Sequence, residues 1–206
     1  QPYGAVGVCL LGGSLHFTGH QEAARKHLER GLSSHVPPDL RLPGLDTRLR
    51  ALVTLSRVMW ISGCPDRAIA TARDALNVAE KSNRPLSVCF SFIYTAAVFL
   101  WCGDNRAARQ VLEKLMAHPN WHALPSMHAT AFALLGALQI REGEVDRGIG
   151  LVRSAVASLR SDRQNLYLAA AVGTLAKGLA ARGHVEEALS VVEGALAEAG
   201  EGSEMS

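Results

Sequence analysis

The stretch FALLGALQIREGEVDRGIGLVRSAV, residues 132–156, decides how the chain folds. Around Gly143 it places Phe132, Leu135 and Gly136 before the glycine, and Gly148, Val152 and Val156 after it. Apolar or small residues three or four apart give each of two helices a single apolar stripe. The glycine between them supplies a positive φ, at which a helix ends without steric cost. Asp146 falls in the first turn of the second helix, at the positive end of its dipole. The segment predicts helix, turn, helix.

Working outward, the same pattern surrounds Gly19, Gly63, Gly103, Gly143 and Gly183, spaced 44, 40, 40 and 40 residues apart. Seven residues before each glycine stand Gly12, Ser56, Ala96, Gly136 and Ala176, all small enough to let paired helices approach closely. The position before that is Leu11, Leu55, Leu135 and Leu175, with Thr95 in the third unit, whose methyl can still pack. Five residues after the glycine come Ala24, Ala68, Ala108, Gly148 and Ala188. Acid recurs in the first turn of the second helix as Glu22, Asp66, Asp146 and Glu186; Arg106 departs from the rule. Pro65 stands at a helix start, where its missing N–H has no intrahelical partner to lose. The prediction is an all-α chain of about five antiparallel helix pairs around a shared core.

These offsets resemble the tetratricopeptide (TPR) repeat over nearly the whole chain. The period is about six residues longer than the usual 34, and the proline that closes each unit in that family is absent. The resemblance implies a right-handed helical-repeat solenoid, with longer helices or connections than the standard repeat. The expected organisation is one TPR-like domain fragment over 1–206, with repeats at about 1–33, 46–82, 85–118, 122–161 and 164–199. A proline-bearing loop is expected at 33–45 and a disordered tail at 200–206. The loop reads as a solvent-exposed connection or as a flap over the groove edge.

A narrower resemblance rests on the opening Asp46-x-Arg48, on the junction from Trp60 through Gly63 to Pro65 and Asp66, and on REGEVDRG at 141–148. These words are similar to the C-terminal repeat region of large bacterial signalling proteins. Such proteins carry a winged-helix DNA-binding domain or a nucleotide cyclase domain, followed by a P-loop NTPase module. The implied function is that of a non-catalytic sensor in a cytoplasmic transcriptional regulator, binding a protein, a peptide or a small effector and acting on other domains of the same chain. A constitutive scaffold or oligomerisation module, or the repeat region of a cyclase, are the other readings.

In the resembled repeats, partners meet the first helices at positions thirteen, ten, six, three and two before the glycine. Carried onto the second and third units, these positions give the expected partner-binding set Arg50, Val53, Arg57, Trp60, Phe90 and Trp101. Phe17 and Ile61 occupy matching positions. Large aromatics and arginine are the side chains binding hot spots favour. Trp60 and Trp101 would equally suit packing between neighbouring helices.

Composition and motifs exclude other classes. With 21 basic residues against 19 acidic, and no basic stripe, direct nucleic-acid binding is not expected. No GxxxxGK[ST], GxSxG or HExxH is present, so no enzyme activity and no cofactor are expected. Cys9, Cys64, Cys89 and Cys102 lack paired spacing and read as free thiols. His118, His122 and His128 are interrupted by Pro119 and Pro125 and read as loop residues rather than metal ligands. The uncharged stretch from Pro85 to Gly103 follows the repeat pattern, with Ser87, Ser91 and Thr95 interspersed, and reads as buried helix rather than a membrane span. The chain begins inside its first repeat and shows no polar capping unit, so it reads as a piece of a longer array. Exposed end faces should then promote self-association.

Overall fold

The computed structural model describes residues 2–34, 46–161 and 165–204. Among them are ten α-helices and no strand: α1 (Pro2–Phe17), α2 (Gln21–Ser33), α3 (Thr47–Ile61), α4 (Pro65–Ala79), α5 (Pro85–Trp101), α6 (Asn105–Met116), α7 (His128–Arg141), α8 (Val145–Ser161), α9 (Asn165–Ala181) and α10 (Val185–Glu204). All five template glycines adopt positive φ, from 76° at Gly63 to 94° at Gly143, each between the two helices of one pair.

The small positions do the predicted job of close approach. A Cβ built on Gly136 would lie 2.8 Å from the carbonyl oxygen of Gly148, and one on Gly148 would lie 2.6 Å from that of Gly136. Backbone meets backbone there, so neither position has space for a side chain. Thr95 is fully buried, and its hydroxyl donates to the Ser91 carbonyl at 2.7 Å, while Ser91 donates to that of Ser87 at 2.8 Å. These two hydroxyls thus enter the core already satisfied. Ser87 Oγ in turn accepts from the Asp46 backbone N–H at 3.0 Å, tying the start of α3 to α5. The helix that lacks a first-turn acid has another device: Asp104 accepts from the Ala107 N–H at 3.0 Å and caps α6.

The helices form two compact units, Gln1–Trp121 and His122–Ser206, where the sequence suggested one domain. At the junction Pro119 and Pro125 interrupt helix and only two short 3₁₀ turns form, Trp121–Ala123 and Pro125–Met127. In the first unit α1, α3 and α5 pack side by side, each also against its hairpin partner. Its centre is filled by Leu28, Leu49, Val58, Met59, Phe99, Leu112 and Leu115. The second unit centres on Val152, Val156, Leu159, Val172, Leu175 and Leu179, with Phe132 and Ile140 packed against them. Helix α10 continues to Glu204, beyond residue 199 where the fifth repeat was expected to end, so residues 200–204 are helical rather than a tail. Of the expected loop, Ser33 closes α2 and the Ser34 N–H returns to the Gly31 carbonyl; residues 35–45 lie outside the described residues. No helix among the described residues is long and apolar enough to cross a membrane.

Candidate functional site

Helix α3 has four helical neighbours within its unit, α1, α2, α4 and α5, so most of its circumference is covered. What stays open, besides Arg48 in the first turn, is a narrow stripe with Arg50 and Arg57 on it and Trp60 and Ile61 at its C-terminal end. On α5, which is still more apolar, Phe90, Tyr94 and Trp101 remain partly exposed while every residue from Thr95 to Leu100 is buried. Spacings of four and seven residues put those three rings on one helix face. Phe17, in the last turn of α1, is 53% exposed.

These stripes converge on Arg57. Its guanidinium carbon lies 5.5 Å from the ring centre of Phe17, 5.4 Å from that of Tyr94 and 6.0 Å from that of Trp101. The charge on α3 is therefore held by three ring faces from the first helices on either side of it, one from α1 and two from α5. Trp60 and Trp101 stack with centroids 4.8 Å apart, and Phe90 lies 4.1 Å from Tyr94. Trp60 is 37% exposed, so the indole pair is packed on one side and open on the other. The Arg57 Nε atom is buried without a hydrogen-bond partner, and no carboxylate among the described residues pairs with this side chain.

His16 is 5% exposed, and its ring centre lies 5.1 Å from that of Phe17. Gln21 donates through Nε2 to the His16 carbonyl at 3.1 Å, which leaves its Oε1 to accept from His16 Nδ1–H at 2.9 Å. Burial pushes the His16 imidazole below its ordinary pKa; the Gln21 bond opposes the shift and the nearby Arg57 charge adds to it. A neutral His16 leaves Arg57 as the cation of the cluster.

The structure thus joins Arg57, Trp60, Phe90 and Trp101, and separates the other two expected residues from them. Arg50 is exposed two turns before Arg57 and makes none of the ring contacts. Val53 is 1% exposed and belongs to the core. This is a correction to the partner-binding set, and it extends along the column: Cys9, Ile93 and Ala133, also ten residues before their glycines, are buried as well. In the first unit these positions fall where adjacent first helices cover one another. Tyr94 and Phe17 join the cluster from outside the expected set; the seven-residue spacing from Tyr94 to Trp101 is the signal in the sequence that marks the former.

A second concavity, lined by Arg73, Leu76, Phe99, Asp104, Arg106 and Lys114 among others, lies among α4, α5 and α6. Its charges are largely spent within the protein: Arg73 pairs with Asp104 at 3.6 Å and Lys114 with Glu80.

Comparison with known proteins places the fold. No family model matches the chain, and no curated protein matches it in sequence. Among solved structures it is similar to a Podosopora anserina protein described as a kinesin light chain with nearly identical TPR-like repeats, at TM-score 0.60 and 18% identity over 94% of this chain and 93% of that one. It is also similar to MamA, at TM-score 0.52 and 16% identity over 94% and 96% of the two chains. BtubC (BKLC) from P. vanneervenii aligns at TM-score 0.60 and 18% identity, over 90% of this chain and 76% of that one. The chain has a TPR-like helical-repeat fold.

Proposed function

We propose that this chain is a non-catalytic interaction module that binds a protein or peptide on the face formed by α1, α3 and α5. The observation that carries the reading is the Arg57 cluster: large rings and a guanidinium, partly exposed, brought together from three repeats. Aromatic rings lose little conformational freedom on binding, and arginine adds directional donors, which is why both dominate hot spots. The TPR-like fold supports a role in protein interaction. In the fuller reading the module is the C-terminal sensor of a cytoplasmic bacterial transcriptional regulator, supported by the words at Asp46 and Arg48, Trp60 to Asp66, and 141–148.

Peptide display against the intact chain tests the surface. Selected binders should lose more than about 1 kcal/mol of affinity on Trp60→Ala while the variant keeps its helical fold. Binders indifferent to that change would place recognition elsewhere and end the reading.

A scaffold or self-association role is favoured by one separate observation, the exposed Val185, Leu189 and Leu196 of α10. Ligand-induced stabilisation separates the two roles: a sensor gains about 2.7 kcal/mol at a hundredfold excess of ligand over Kd. A module that only self-associates gains stability with its own concentration instead.

A further inference from the structure

Arg57 is a cation with no paired anion among the described residues. Three ring faces hold the guanidinium, but ring faces satisfy its charge and not its N–H donors, which lie in the guanidinium plane. The buried Nε–H has no acceptor among the described residues, and an unmade buried hydrogen bond is costly. A planar, two-oxygen acceptor meets the donor edge of a guanidinium better than any other common group. Around it, Phe17, Trp60 and Ile61 remain open to an apolar side chain.

Resting on the reading of this face as a binding surface, we infer that the bound segment is a peptide that sets a side-chain carboxylate beside a large apolar side chain. The carboxylate accepts from Arg57, and the apolar neighbour lies on Phe17, Trp60 and Ile61. A phosphate dianion suits the place less well. Trp60, Ile61 and Trp101 end their helices, so the cluster sits at the negative ends of the α3 and α5 dipoles. His16, held below its ordinary pKa by burial, adds no second positive charge. A chain-terminal carboxylate also suits it less well, because backbone N–H groups inside helices are already used and offer nothing to a ligand's main chain.

The test is fluorescence anisotropy with short, dye-labelled, end-blocked peptides in which leucine or phenylalanine adjoins glutamate. Three companion sets replace glutamate by glutamine, replace it by phosphoserine, or carry no acid but a free C-terminus. On the unsubstituted chain the glutamate set should bind at least about tenfold more tightly than the glutamine set. That preference should disappear in Arg57→Gln and shrink in Arg57→Lys, which keeps the charge but loses the fork. Equal affinity for glutamate and glutamine, or a preference for phosphoserine or the free C-terminus, overturns the inference. If binding is lost on Trp60→Ala yet shows no preference for acid, the inference falls and the binding face stands. If no set binds, or binding ignores Trp60→Ala, both fall.

Discussion

The two units use one template to different ends. At six, three and two residues before its glycines the first unit carries Gly13, His16 and Phe17, then Arg57, Trp60 and Ile61, then Ala97, Leu100 and Trp101, with three large aromatic rings among them, whereas the second carries Ala137, Ile140, Arg141, Lys177, Ala180 and Ala181 and has none. At the positions that face the hairpin partner both units stay small, Gly12 with Ala24, Ser56 with Ala68 and Ala96 with Ala108 in the first, Ala176 with Ala188 in the second, and the second unit holds the extreme case of Gly136 against Gly148. The period constrains only those residues that must meet the other helix of the pair. Positions one turn further round are free to vary, and in the first unit they have become aromatic.

The largest effect that could break this contrast is at the closest backbone contact. Gly148→Val should cost the second unit about 3 kcal/mol or more, since the Gly136 oxygen already sits 2.6 Å from the new Cβ. Hydrogen exchange should show protection falling in α7 to α10; a loss below about 1 kcal/mol would mean that the hairpin relaxes and the contact is not a constraint.

A matched pair in the first unit follows. Phe99→Ala, at a side chain 1% exposed, should cost about 3–5 kcal/mol. Trp60→Ala should cost only about 1–1.5 kcal/mol, chiefly the stack on Trp101. Urea unfolding compares them directly. Equal losses would make Trp60 a core residue and remove the distinction between its helix stripe and its helix core.

Smaller again is Gly143→Ala. With φ at 94° it should lose about 1–2 kcal/mol of thermal stability, with no new contact made or lost. The same change at Gly150, inside α8 and facing open space, should stabilise by a few tenths of a kcal/mol to about 1 kcal/mol, so the sign of the effect separates a turn glycine from a helix glycine.

His16 gives a pH signature confined to the first unit. Its folded-state pKa lies below the unfolded value, so the unfolded chain binds the proton more readily. The stability it contributes is complete above the ordinary histidine pKa and is lost as pH falls from there through the lower folded-state value. Melting temperature measured across that interval should decline, and His16→Gln should flatten the decline. An unchanged slope would show that other groups set the acid sensitivity. The smallest expected effect is in the second unit: removing the exposed Arg182–Asp146 pair by Arg182→Ala should shift stability by no more than about 0.5 kcal/mol, and less in high salt.

Much of the fold was legible in advance because its rules are local. A small residue seven before the glycine and another five after it announce a close helix pair, and Gly136 with Gly148 bear that out atom by atom. Arg106 was legible only as an exception; that Asp104 caps the helix in its place follows from side-chain geometry at a single turn. Val53 shows the opposite case. Its offset from Gly63 made it a contact residue, but burial depends on how many helices surround α3, and nothing near residue 53 in the chain encodes that number. Tyr94 lay in plain view beside Phe90, yet its value comes from facing Arg57, 37 residues earlier.

Periodicity and backbone preference act between residues a few positions apart, and they were enough to specify the hairpins, their turns and their closest contacts. The meeting of Arg57 with Phe17, Tyr94 and Trp101 draws on three helices of separate sequence origin, and it exists only because α1, α3 and α5 stack side by side. Stacking is settled by burial of whole helix faces, a sum over many weak contacts, and it alone determines which ring ends above which charge.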